Sequence, residues 1–280
     1  MKKIKIVTDS SAELGQDEIE QLGIYVLPLT VMIDDESYVD GETLKKEDFM
    51  EKMNKSKALP KTSQPPIGRF VELYDELGAD GSEVISIHMT EKLSGTVNAA
   101  RQAAELSQAN VTVIDSDFTD RGQSFQVLEA AKLAQDGGDK ETILKRIAHV
   151  KEHTKLYICV VTLENLVKGG RVGKLAGALS SLLNVKVMME LVNGQLEVCV
   201  RGRGMKPINK WIGELQEKLK TTPNLNAVSF SYADDVVYLE NLKNEFQAIL
   251  PDVPMRVKLT SPIISTHAGK GAFAIMYYTD

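Results

Sequence analysis

The chain has 280 residues, 43% of them hydrophobic and 26% charged, with 33 Lys and Arg against 39 Asp and Glu and a net charge of −6. That length and apolar content suffice for two packed cores and exclude a disordered chain. A negative balance excludes a broad phosphate-binding surface, so nucleic acid is not an expected partner.

In chain order, the apolar patterns predict strand 4–8, with Asp9-Ser10-Ser11 at its end, then strands 23–27 and 29–33. A helix is predicted over 67–77, where Ile67, Phe70, Val71, Leu73 and Tyr74 share one face. Strand 83–88, helix 95–106, strand 111–115, helix 122–135 and helix 140–153 follow. Strands alternating with helices of this length imply parallel βαβ units. Strand 156–161 opens a second region, whose clearest element is a hairpin: VKVMMELV and QLEVCV joined by Asn193-Gly194. Helices lined by Ile208, Ile212, Leu215 and Leu219, and by Leu239, Leu242, Phe246 and Ile249, come next, with strands 227–232, 255–259 and 272–278. The expected organisation is an N-terminal α/β domain over 1–154 and a C-terminal α/β domain with a mixed sheet over 155–280.

Cys159 and Cys199 sit in strand-like apolar runs and read as two buried thiols. No close Cys or His set completes zinc-ligand spacing, so no metal or cofactor is expected. The apolar run of MKKIKIVTDS stops at Val7, too short for a signal peptide, and no run is long enough to span a membrane. The expected compartment is the cytoplasm.

Four small polar clusters fall between apolar elements: Lys61-Thr62-Ser63-Gln64-Pro65-Pro66, Leu93-Ser94-Gly95-Thr96, Lys168-Gly169-Gly170-Arg171, and Thr266-His267-Ala268-Gly269-Lys270-Gly271. Taken singly, the first is a helix start, with Thr62 or Ser63 as the cap and the prolines in the first turn. Ser94-Gly95-Thr96 is likewise a helix N-terminus, a place where an anion can also dock on free N–H groups. His267 stands out among four histidines because a Gly-x-Gly loop beside it allows tight backbone bending. His149 and His153 are expected to face solvent, and His88 to be half-buried. Gly269-Lys270-Gly271-Ala272-Phe273-Ala274 matches a dinucleotide fingerprint formally, but only six residues follow, too few for the βαβ unit it needs.

Together and in this order, with Thr8-Asp9-Ser10 and Asp115-Ser116, the clusters resemble the DegV family of bacterial fatty-acid-binding proteins. The resemblance runs from end to end of the chain. It implies a two-domain α/β fold, with a parallel βαβ N-terminal domain and a mixed or antiparallel sheet with helices in the C-terminal one. It further implies a non-catalytic subunit that binds a long-chain fatty acid. The bound carboxylate would be phosphorylated by a separate ATP-dependent kinase subunit, giving acyl phosphate for phospholipid synthesis, with transient membrane contact. Carried over, the fatty-acid-binding residues are Thr62, Ser63, Ser94, Gly95 and His267. Arg171 would stand near the phosphoryl-transfer end, and Arg201 and Arg203 would meet the kinase. Two departures are Gly269-Lys270-Gly271, where the family has Gly-Pro-Gly, and the charged Asp120-Arg121 pair, which together imply extra charge near the pocket mouth.

The chemistry is self-consistent. A chain of about sixteen carbons gains on the order of 10 kcal/mol gross on burial, and its carboxylate must be hydrogen-bonded to be buried at all. Neutral hydroxyl and imidazole donors suit a carboxylate that must still attack phosphorus, whereas a bidentate arginine would hold it too strongly. The competing reading is an acyl hydrolase using Ser94 with His267, against which stands the lack of a Gly-x-Ser-x-Gly elbow or a third triad member. A regulatory module with a structural lipid is the other alternative.

Overall fold

A computed structural model describes residues 3–173, 177 and 185–280. Among these, the first strand, β1 (Ile4–Asp9), leads into α1 (Gln16–Leu22), which ends on Gly23 in the left-handed conformation (φ 60°). Then come β2 (Tyr25–Leu27), β3 (Thr30–Ile33), β4 (Glu36–Val39), α2 (Lys46–Lys55), β5 (Lys61–Ser63) and α3 (Ile67–Gly78). The pattern continues as β6 (Glu83–His88), α4 (Thr96–Leu106), β7 (Asn110–Asp115), α5 (Asp120–Gln135) and α6 (Lys140–His153). Strand order β2-β1-β6-β7 is parallel throughout, as the alternating elements require. β4-β3-β5 forms a separate antiparallel sheet that the sequence did not announce.

The remaining described elements are β8 (Thr154–Val160), α7 (Glu164–Lys168), β9 (Lys186–Val192), β10 (Gln195–Gly202), α8 (Met205–Lys220), β11 (Leu225–Tyr232), α9 (Val237–Ile249), β12 (Met255–Leu259), α10 (Pro262–Ala268) and β13 (Phe273–Thr279). They build a six-stranded mixed sheet in the order β10-β9-β8-β13-β11-β12. Its β9–β10 hairpin turns at Asn193 and Gly194, both with positive φ (48° and 74°), as a tight type I′ connection demands. The observed architecture is the α/β arrangement expected: a parallel sheet with helices and a second, mixed sheet with helices.

Helix α5 explains how the two layers meet. Phe125 packs into the apolar cluster over Leu156 and Met276 of the mixed sheet, while Val127, Leu128, Ala130 and Ala131 join Ile6, Ile85 and Ile87 of the parallel sheet. A helix covered on both sides buries even polar residues, and Gln123, Ser124 and Gln126 are all buried.

Several local expectations are corrected. Thr62 and Ser63 do not cap a helix: they lie in β5, and Pro66 holds the N-cap position of α3 without a side-chain bond. His267 is not on a bent loop but in α10, a helix with Ser261 as N-cap, Pro262 in its first turn, and its bend postponed to Gly269 (φ 81°). His88 is fully buried at 0% exposure rather than half-buried, and Cys199 is only half-buried. Among the described residues, no helix is long and apolar enough to cross a membrane.

Candidate functional site

A cavity of about 320 Å³ opens where β5, the N-terminus of α4, α7, α10 and the face of β8, β9 and β10 converge. Its body is apolar: Ile158 and Val160 from β8, Met189 from β9, Leu196 from β10, with Leu29, Met89 and Leu93 opposite. Strand alternation puts these side chains on one face of the mixed sheet. At this volume the cavity stands at the small end of ligand sites, which run about 300–1,000 Å³.

Its polar residues touch one another in sequence. His267 Nε2 and Thr62 Oγ1 are 2.9 Å apart, joining α10 to β5 across 205 residues of chain. Gly169 lies against the other side of the imidazole: a methyl group at 169 would meet His267 Nδ1 at 2.3 Å, so only glycine permits the approach. Asn165 Nδ2 donates to Thr266 O at 2.9 Å and fastens α7 to α10. Arg171, just beyond α7, donates from Nε to Leu93 O at 3.1 Å and from an Nη to Gly169 O at 2.5 Å. Next to Leu93, Ser94 Oγ is 2.9 Å from Thr96 Oγ1 and accepts from Thr96 N at 3.3 Å. Gly95 carries Gln64 against it, and Gln64 continues Thr62-Ser63.

The electrostatics favour a neutral imidazole. Burial, and after it the charge of Arg171, push the His267 pKa down to about 4. Burial also lowers the pKa of Arg171 itself. His267 Nδ1 is buried without a hydrogen-bond partner in the described protein.

Thr62, Ser63, Ser94, Gly95, His267 and Arg171 all line this one cavity. Arg201 and Arg203 do not; they are exposed at and beyond the end of β10. The extra charges are not cavity residues either. Arg121 is buried against Glu18, with bonds of 2.8 and 2.6 Å, and Lys270 is 65% exposed beside Asp234. The sequence reading missed Gln64 and Thr119 as lining residues. Gln64 was legible as part of the Thr-Ser-Gln-Pro cluster. Thr119 precedes the Asp120-Arg121 departure, and it is this hydroxyl residue, not the charged pair, that lines the cavity.

The Ser94–His267 pair of the hydrolase reading shares the cavity, yet no hydrogen bond joins the two among the described residues. A Ser–His–Asp arrangement does exist elsewhere: Ser86 Oγ to His88 Nε2 at 2.6 Å and His88 Nδ1 to Asp9 Oδ2 at 2.9 Å. All three residues are 0% exposed, so no substrate reaches them. Against its own burial, the Asp9 carboxyl is held below its usual range by His88, Ser11 and the Met89 N–H. Asp9 Oδ2 also accepts from Met89 N at 3.0 Å, which ties the start of the Met89–Leu93 loop to β1. Among the described residues no three His, Cys, Asp or Glu side chains are grouped to hold a metal.

Comparison with known proteins gives a consistent result. A family model described as uncharacterised protein, DegV family, matches residues 3–280. A DegV domain-containing protein of Streptococcus pneumoniae is 48% identical over 277 residues, 99% of this chain and 98% of that one. Another from Listeria monocytogenes is 47% identical over 285 residues, covering 100% of both. Among solved structures, DegV of Bacillus subtilis, described as a fatty acid binding protein, superposes with a TM-score of 0.93 at 31% identity over 100% of both chains. A Thermus thermophilus DegV family protein, described by its fatty acid binding, gives 0.90 at 30% identity over 99% of this chain and 100% of its own.

Proposed function

The chain belongs to the DegV family, and from that premise we propose that it binds a long-chain fatty acid and presents the carboxylate to a separate ATP-dependent kinase. The observation that carries the reading is the form of the cavity: an apolar body under a cluster of hydroxyl, amide and imidazole groups, with one arginine beside it. The acyl chain would lie along Ile158, Val160, Met189 and Leu196. Its head would meet Thr62, Ser63, Ser94, the backbone at Gly95, and His267.

In that reading this chain performs no bond-making of its own. A carboxylate oxygen attacks the terminal phosphorus of ATP in the partner, a carboxyl–phosphate bond forms, the bond between the β and γ phosphates breaks, and ADP leaves. Thr62, Ser94 and a neutral His267 hydrogen-bond the acid without neutralising its nucleophilic charge. Arg171 is held by two main-chain carbonyls and so suits the transferring phosphate, whose charge a guanidinium stabilises. Arg201 and Arg203 would contact the kinase.

Hydrolysis by Ser94 is the less supported reading, because Ser94 bonds to Thr96 and His267 to Thr62. The test is native mass spectrometry of the purified protein followed by lipid extraction, with Arg171→Ala run beside the parent in a kinase-coupled assay. A co-purified fatty acid is expected, retained in Arg171→Ala, whose acid is phosphorylated at least about tenfold more slowly. An empty cavity that takes up no added fatty acid would overturn the carrier reading. Equal loss of binding and phosphorylation would overturn the role given to Arg171.

A further inference from the structure

The hydroxyl and imidazole groups at the cavity mouth are partly engaged with one another. A carboxylate offers about four lone-pair sites. Thr62 and His267 are bonded to each other, which uses one of their protons, and the Ser94 hydroxyl is paired with Thr96. Gln64 lines the same mouth, and among the described residues its carboxamide makes no hydrogen bond to the protein. An amide nitrogen brings two N–H donors and no net charge.

The residue at position 95 points to the same side chain. Gly95 has φ −76° and ψ 2°, a backbone that any residue adopts, so its conformation does not require glycine. Space does. A methyl group at 95 would meet Gln64 Oε1 at 2.1 Å and Cδ at 3.2 Å. Those atoms are the far end of a flexible side chain, so alanine at 95 would displace the carboxamide and leave the backbone where it is. Gln64 is itself followed by Pro65-Pro66, which confines its backbone to extended conformations and limits where its side chain swings.

We propose that Gln64 is a specificity residue for the carboxylate head, donating from its amide nitrogen, and that Gly95 is the seat that holds the carboxamide in place. The inference rests on the fatty-acid reading above. A neutral amide adds a donor where a lysine or arginine would blunt the nucleophile, in keeping with the uncharged character of Thr62, Ser94 and His267.

The test is a coupled set of substitutions in the full delipidated chain: Gln64→Ala, Gln64→Glu, Gly95→Ala and the double Gln64→Ala/Gly95→Ala. Affinity for hexadecanoic acid is read by titration calorimetry, and folding by thermal unfolding. Gln64→Ala and Gly95→Ala should each weaken binding about tenfold, the worth of one hydrogen bond to a charged group. The double variant should lose no more than either single one, because both remove the same contact. Gln64→Glu, of the same shape but negative, should weaken binding further than Gln64→Ala, and unfolding temperatures should match the parent. Parental affinity in Gln64→Ala or Gln64→Glu, or losses that multiply in the double variant, would overturn the inference and leave the carrier reading intact. A parent chain that takes up no hexadecanoic acid would overturn both.

Discussion

At the residue scale, two buried groups pull the pH dependence of stability in opposite directions. His267 has its pKa pushed down to about 4, so the folded chain refuses a proton that the unfolded chain accepts. Its contribution is complete above the ordinary imidazole value and is lost as pH falls toward 4. Asp40 does the reverse. Its burial, opposed by the Ser10 hydrogen bond and the charge of Lys46, pushes its carboxyl up to about 6. Its Oδ2 has no hydrogen-bond partner among the described residues. A raised carboxyl contributes stability below the unfolded value of 3.8 and loses it as pH rises through 6. Asp40→Asn, neutral at every pH, should therefore be more stable than the parent at pH 7.5 by up to about 2 kcal/mol. At pH 4 the difference should shrink toward zero. Urea unfolding at the two pH values checks this, and a gap equally large at both would show that Asp40 is not destabilised by its charge.

At the element scale, the short α10 carries the imidazole, so its cap governs the site. Ser261 Oγ accepts from Ile264 N at 3.3 Å. Ser261→Ala should cost about 1 kcal/mol of stability and weaken fatty-acid binding, because Thr266 and His267 lose a fixed platform. Chemical denaturation and lipid titration read the two effects; full stability with full affinity would mean that packing alone positions the helix. This helix also shows where the sequence was legible. Ser261-Pro262 is a start signal of the usual kind, serine at the cap and proline in the first turn. It was masked by Gly269 and Gly271, which read as a loop around His267. Long elements with strong periodicity, such as α6 over Lys140–His153 and β6 over Glu83–His88, fell on their predicted bounds. β5 has only three residues, Lys61–Ser63, too few to show alternation, and its strand character comes from pairing with β3. The cavity side chains were readable where polar motifs marked them. Met89, Met189 and Ile263 were not, because whether an apolar residue faces a cavity or a core depends on packing between distant elements.

At the scale of the whole molecule, the two layers are tied unevenly around the cavity. A polar seam binds α5 and α1 to the edge of the mixed sheet. Asp120, its pKa raised by burial, accepts the Ser231 and Thr260 hydroxyls at 2.8 and 2.6 Å. Arg121 grips Glu18, and Arg256 reaches both Glu18 and Glu13 at 2.9 and 3.2 Å. Burial raises the Glu18 carboxyl, but its bond to Arg121 and the surrounding positive charge outweigh this and hold it at about 2. Removing Arg121, which is itself buried, leaves the partly buried carboxylates beside it uncompensated, at a cost of up to about 3 kcal/mol. Among the described residues the mouth is bridged by fewer polar contacts, from Thr62 to His267 and from Arg171 to Leu93 O. Opening for lipid entry should therefore occur where β5, α10 and the start of α4 meet, with the seam at α5 staying closed. Hydrogen exchange with and without hexadecanoic acid tests this directly. Protection should rise in β5, α10 and the first turn of α4, because a ligand that binds only the closed form suppresses its local opening. The amides of α5 and β1 should change little. Protection gained chiefly in α5, or spread evenly over both sheets, would mean that the layers separate as a whole and that the mouth is not the moving part.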